Sequence, residues 1–163
     1  MSLKNINNLK KGLFVGLGVA NFEAVPCNNA SFPIREGSLV WWDSSAHLAK
    51  ELGVSDDTNA AHLIGVASTP SAVSSSLDGS TEPTVNVQAL GVHDLGTTSG
   101  DTYHHGDVVY AGADAQTITN TAGMMTNKIG VVQLPAGVAS VAGGAGISVP
   151  ILVFTKAFIS LGL

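Results

Sequence analysis

Gly37-Ser38-Leu39-Val40-Trp41 and Gly106-Asp107-Val108-Val109-Tyr110 are the same phrase written twice: a glycine, a small polar residue, two branched or aliphatic residues and an aromatic ring. Each is followed by a second shared phrase, Ile64-Gly65-Val66-Ala67 and Ile129-Gly130-Val131-Val132. A third pair, Val85-Asn86-Val87 and Ile147-Ser148-Val149, closes the series. Common order at common spacing marks an internal repeat, over residues 37–95 and 106–154,. Alternating β-branched residues bounded by turn residues predict strands at Ser38–Trp42, Leu63–Ala67, Thr84–Leu90, Asp107–Tyr110, Ile129–Leu134 and Ile147–Phe154,.

The glycines carry physical content. Gly37 and Gly106 permit a positive-φ turn that aims the strand after them,. Gly65 and Gly130 leave a bare backbone position where a neighbouring strand or a large ring can come close, with Trp41 and Tyr110 the candidate rings,. Three strands per unit are too few for a core, so the two units are expected to close together into one small β-barrel or sandwich. One short helix is expected over Ser45–Leu52, capped by Ser44 or Ser45, with Leu48 and Leu52 on one face and Gly53 as its stop,.

Composition agrees with an all-β chain and points to binding. Only 12% of the 163 residues are charged, against about 25% in an ordinary soluble domain, while 19 are glycine,. Surface so poor in charge is expected to meet protein. The charge is also uneven: residues 1–35 carry Lys4, Lys10, Lys11 and Arg35 against Glu23, whereas residues 36–163 carry three lysines against eleven acids. An acidic body argues against nucleic acid, which needs clustered Lys and Arg. The division expected is an extended N-terminal arm, residues 1–33, ahead of a barrel domain, residues 34–163.

Two stretches invite a membrane or export reading. Met1–Ala20 has the outline of a signal peptide, but three glycines dilute its apolar run of nine residues,. Leu134–Thr155 has no charge and the length to cross a bilayer, yet Pro135, Pro150 and four glycines break any helix, so a loop and a terminal strand are expected and no membrane,.

Chemistry is sparse. His104-His105 beside Asp101 and Asp107 is the one cluster with metal-ligand residue types, but adjacent histidines on a strand point to opposite faces, so no metal is expected,. His47 and His62 flank the expected helix as surface or packing residues. Cys27 is the single cysteine and has no nucleophile pattern around it,. Neither a Gly-x-Ser-x-Gly elbow nor a Gly-x-x-x-x-Gly-Lys loop occurs,. No enzyme activity and no cofactor is expected.

The Gly-Asp-x-Val-Tyr turn, the later Ile-Gly-Val strand and the closing Val-x-Val strand resemble the small capsid cement (head decoration) proteins of tailed phages. The likeness covers residues 34–154 and rests on Gly37–Trp41, Ile64–Ala67, Gly91–Leu95, Gly106–Tyr110 and Ile129–Val132. It departs in a longer insert between Trp42 and Leu63. The resemblance implies a barrel or tulip-like homotrimer on the outer surface of the virion's capsid, with the major capsid protein as partner and the arm reaching across the shell. Lys4, Leu9, Lys10, Lys11 and Phe14 are then the expected arm contacts. A receptor- or glycan-binding module of a tail or surface fibre is the alternative.

Overall fold

The computed structural model describes residues 22–27, 33–53, 57–73, 83–89, 91–122 and 127–154. The contact residues expected in the arm, the apolar end Ala157–Leu161 and the Asp78-Gly79 turn lie outside the described residues. The protein is all-β and built from two similar units. Unit 1 holds β1 (Phe22–Pro26), β2 (Leu39–Asp43), β3 (Leu48–Glu51), a four-residue helix α1 (Asp57–Ala60), β4 (Leu63–Ala67), β5 (Ala72–Val73) and β6 (Pro83–Gln88). Unit 2 holds β7 (Gly91–Thr97), β8 (Thr102–Tyr103), β9 (Val108–Ala111), β10 (Thr117–Thr119), β11 (Gly130–Val132), β12 (Val141–Ala142) and β13 (Ser148–Val153).

The repeat runs deeper than its motifs. Strand order is β1-β6-β4-β2-β3 in unit 1 and β7-β13-β11-β9-β10 in unit 2, with β7 and β10 joined to close a five-stranded barrel. Register matches strand for strand. Val40 faces Gly65 as Val109 faces Gly130, Val25 faces Val85 as Leu95 faces Val149, and Trp42 faces Ala49 as Ala111 faces Ile118. Even the turn bonds recur: the Gly37 N–H donates to the Ala67 carbonyl at 2.8 Å, and the Gly106 N–H to the Val132 carbonyl at 2.9 Å. Both glycines have the expected positive φ, 78° and 88°. The closure differs in extent. Unit 2 closes through the parallel pairs Thr117↔Gly96 and Ile118↔Thr97, whereas unit 1 shows, among the described residues, one parallel bridge, Cys27↔Ala49.

Each unit therefore has its own interior, and the expectation that the units pool strands into one barrel is corrected. Val25, Cys27, Ile34, Val40, Ala49, Ala67, Val85 and Val87 are buried together inside unit 1. Their counterparts Leu95, Tyr103, Val109, Ile118, Val132, Val149 and Ile151 are buried inside unit 2, with buried Thr97 matching Cys27. The count of strands explains the miss. β1, β3, β7 and β10 complete the two sets, and β1 lies within the segment expected to be an arm, paired along its whole length with β6. Register also moves the third pair of phrases: Val85 and Val87 correspond to Val149 and Ile151, two residues beyond the tripeptide alignment.

The expected helix over Ser45–Leu52 is instead the turn and second strand of a hairpin. The Asp43 carboxylate accepts the N–H groups of Ser45 and Ala46 at 2.9 and 3.1 Å, which fixes an Asx-type turn before a helix can start,. His47 completes the turn at φ 54°. Lys50 then reaches back across the strand pair to Asp43 at 2.6 Å, with its ammonium 5.8 Å from the Trp41 ring centroid. The rings expected at the bare glycines are also elsewhere: Trp41 and Tyr110 lie half-buried outside the interiors, and it is the Gln88 and Leu152 carbonyls that crowd Gly65 and Gly130.

The units dock asymmetrically. Strand alternation sends Val40 into unit 1 and Leu39 outward, where Leu39, Leu52, Leu63 and Val66 join one continuous apolar cluster with unit 2,. The β9–β10 hairpin tip seals this join. The Leu39 N–H donates to the Ala115 carbonyl at 2.7 Å, and the Gln116 amide to the Glu36 carbonyl at 2.7 Å.

Candidate functional site

Three polar clusters stand out, and each works as an internal brace. In the first, Glu51 gathers the Arg35 guanidinium at 3.1 Å, the Arg35 N–H at 2.6 Å and the buried Ser38 hydroxyl at 2.7 Å. Burial pushes the Glu51 carboxyl up, but the hydrogen bonds from Arg35 and Ser38 outweigh it and hold the carboxyl below its ordinary value,. Trp41 adds a bond from its indole N–H to the Glu51 carbonyl at 3.1 Å. The start of β2 is thereby tied to the end of β3.

The second cluster centres on Asp101, whose Oδ2 accepts from the Thr119 hydroxyl at 2.6 Å and the Asn120 N–H at 3.1 Å, and shares the Tyr103 hydroxyl proton, at 3.2 Å, with the closer Ile118 carbonyl. Burial pushes the Tyr103 phenol up to about 12. The third is the histidine pair, which forms a turn. Asp107 accepts the His104 N–H at 2.7 Å and faces its Nδ1 at 3.3 Å, while His105 Nδ1 lies 3.2 Å from the Leu134 carbonyl. The two rings therefore serve different partners. Among the described residues, no three His, Cys, Asp or Glu side chains converge as a metal site would need. His47 and His62 are exposed, the former in the β2–β3 turn and the latter just past α1. Cys27 is buried on the bridge that closes unit 1, where burial pushes its thiol up against an opposing bond from Ser71.

His93 is a different case. Its Nε2 is buried without a hydrogen-bond partner, and burial lowers its pKa from the ordinary 6.5, with only Asp94 opposing,. The sign follows directly. The unfolded chain takes up this proton first as pH falls below about 6.5, so stability contributed by neutral His93 is complete above that value and declines toward acid. Between pH 7.5 and 5 the melting temperature should fall more steeply for the native chain than for His93→Leu. Parallel curves would show that His93 is not protonated on unfolding in that window.

The surface with most capacity for binding is the outer side of unit 2. Val108, Val131, Leu152 and Val92 stand in register on β9, β11, β13 and β7, forming an apolar row across four strands. Val108, Val131 and Leu152 are half-buried and Val92 is 57% exposed. In unit 1 the matching residues Leu39 and Val66 are 0% and 2% exposed, because unit 2 and the α1 region cover them. Four residues along β7 and β13 from the row lies a shallow cleft of about 270 Å³ between Gly96, Thr97 and Thr117 on one side and Gly144–Ser148 on the other. Its lining offers the aliphatic Ala145 and Ile147 with hydroxyls and backbone groups, but no aromatic ring or charge.

The residues singled out from sequence fall into two sets. Gly37, Gly65, Gly106 and Gly130 sit at matched structural positions, and Trp41 and Tyr110 form the matched outward rings. The sequence reading missed the apolar row; its signal was the alternation at Val92, Val131 and Leu152, which becomes visible only once register is known. Among the described residues no helix is long and apolar enough to cross a membrane. Comparison with known proteins finds no match to a family model, a curated protein or a solved structure.

Proposed function

We propose that this protein is a structural component of a tailed-phage head, a homotrimer that binds the outside of an assembled capsid and clamps neighbouring subunits. The observation that carries this reading is the half-exposed apolar row on an otherwise braced β scaffold. The row gives a surface for stable burial, and the polar clusters described above serve the fold's own turns and strand ends. The resemblance of Gly37–Trp41 and Gly106–Tyr110 to capsid cement proteins supplies the class of partner, the major capsid protein. Repetition over the shell would add avidity to each modest contact.

The test is sedimentation of the protein with undecorated capsids of the source phage, for the full chain and for a chain lacking residues 2–20. The full chain should co-sediment. The deletion removes Lys4, Leu9, Lys10, Lys11 and Phe14, and should weaken binding at least tenfold, about 1.4 kcal/mol, while leaving the melting temperature nearly unchanged,. A full chain that ignores capsids, or labels only tails, overturns the cement reading. Equal binding by both chains overturns the role of the arm.

A further inference from the structure

The two units repeat the same strands in the same register, so a surface used in one has a counterpart in the other. On unit 1, the β9–β10 tip is bonded to the backbone of Glu36 and Leu39 at the start of β2, and the outward side chains Leu39 and Val66 beside it are buried under unit 2 and the α1 region. On unit 2, the counterparts are the start of β9 with Val108 and Val131, and these stay half-exposed. The occupying element also has a counterpart. Ala115 and Gln116 in the β9–β10 hairpin correspond to Ala46 and His47 in the β2–β3 hairpin. Ala115 is 3% exposed, whereas Ala46 and His47 are exposed. Each chain thus carries one used tip and one used seat, and one free tip and one free seat of the same design.

We infer that the free seat on unit 2 receives the β2–β3 tip of a second copy of this chain, joined head to tail. The contact continues between chains the interface already formed within one. The two partners are different surfaces, so the association is heterologous, and copies joined this way close into a ring or run on as a fibre. Val108 and Val131 are apolar and the tip offers an uncharged Ala46, just as the Leu39 N–H within one chain is met by the carbonyl of Ala115. The inference rests on the self-association in the proposed function and takes Val108 and Val131 from the apolar row, leaving Leu152 and Val92 for the capsid, so capsid binding by a folded Ala46→Arg chain tells the two readings apart.

Light scattering on the full chain at micromolar concentration should give a multiple of 16.5 kDa. Ala46→Arg, in an exposed turn, and Val131→Lys, on the outer side of β11, should each reduce the mass to that of one chain, or require at least tenfold more protein to assemble. Circular dichroism confirms that each variant is folded, and Ala46→Arg decides the matter even if Val131→Lys does not fold. A mixture of the two variants should form pairs that grow no further, since each supplies the half the other lacks. A single-chain mass for the wild type overturns the inference. So does full assembly by folded Ala46→Arg, or the absence of pairs in the mixture of folded variants.

Discussion

Gly130→Ala and Gly65→Ala should each lower stability by about 3 kcal/mol, the upper end of the usual cost of overpacking. A Cβ at Gly130 would stand 2.5 Å from the Leu152 carbonyl oxygen and 2.6 Å from the Ile151 methyl. At Gly65 it would collide with the Gln88 carbonyl oxygen and come within 2.7 Å of Val87. Both obstacles include backbone of the next strand, which cannot rotate aside as a side-chain tip can. Gly65 carries a further penalty, since its φ of 153° is one that L residues rarely adopt,. Gly53→Ala is the control: a methyl group there would have nothing within 4 Å, and the change should stay within about 0.5 kcal/mol,. Urea midpoints measure all three. A Gly130→Ala midpoint near wild type would end the claim that β11 and β13 need a bare position where they meet.

Tyr103→Ala should be at least as damaging, about 4 kcal/mol, whereas Tyr103→Phe should cost about 1 kcal/mol or less. The side chain is fully buried in the interior of unit 2, so its removal leaves a ring-sized void. Its hydroxyl is better replaced than its ring. The hydroxyl donates to the Ile118 carbonyl at 2.8 Å and accepts from the Thr98 N–H at 3.1 Å, yet those two groups also bond each other at 3.0 Å. Asp101 likewise keeps Thr119 and Asn120. Unit 1 makes the same point by composition, since apolar Ile34 occupies the matching buried place. Thermal melts that place Phe level with Ala would show that the hydroxyl network, and not the filled volume, holds this end of the barrel.

The contrast between these two positions also shows which parts of the fold were legible in the sequence. Glycines that a turn or a close approach demands cannot be replaced cheaply, so Gly37, Gly65, Gly106 and Gly130 exposed the repeat, and β2, β4, β9 and β11 were readable beside them. Strands that borrow their structure from neighbours were not. Leu48-Ala49-Lys50-Glu51 is made of good helix formers, and the Asp43 turn and the pairing of all four residues with β2 make it a strand,. Thr117–Thr119 is three residues long and is defined by the barrel it closes. With those strands uncounted, two units with separate interiors looked like one. The apolar row was hidden for a related reason: its members are scattered from Val92 to Leu152, and register alone lines them up,.

The parallel bridge that closes unit 1 has a practical consequence. Cys27 sits on that bridge, with its N–H bonded to the Pro83 carbonyl at 2.9 Å, and it is the only thiol in the chain. The thiol is buried, so a reagent in solution should reach it when β1 separates from β3. Alkylation kinetics would therefore time the breathing of the first unit in the intact native protein, while the second unit, with Thr97 at the matching seam, stays silent to the same reagent,.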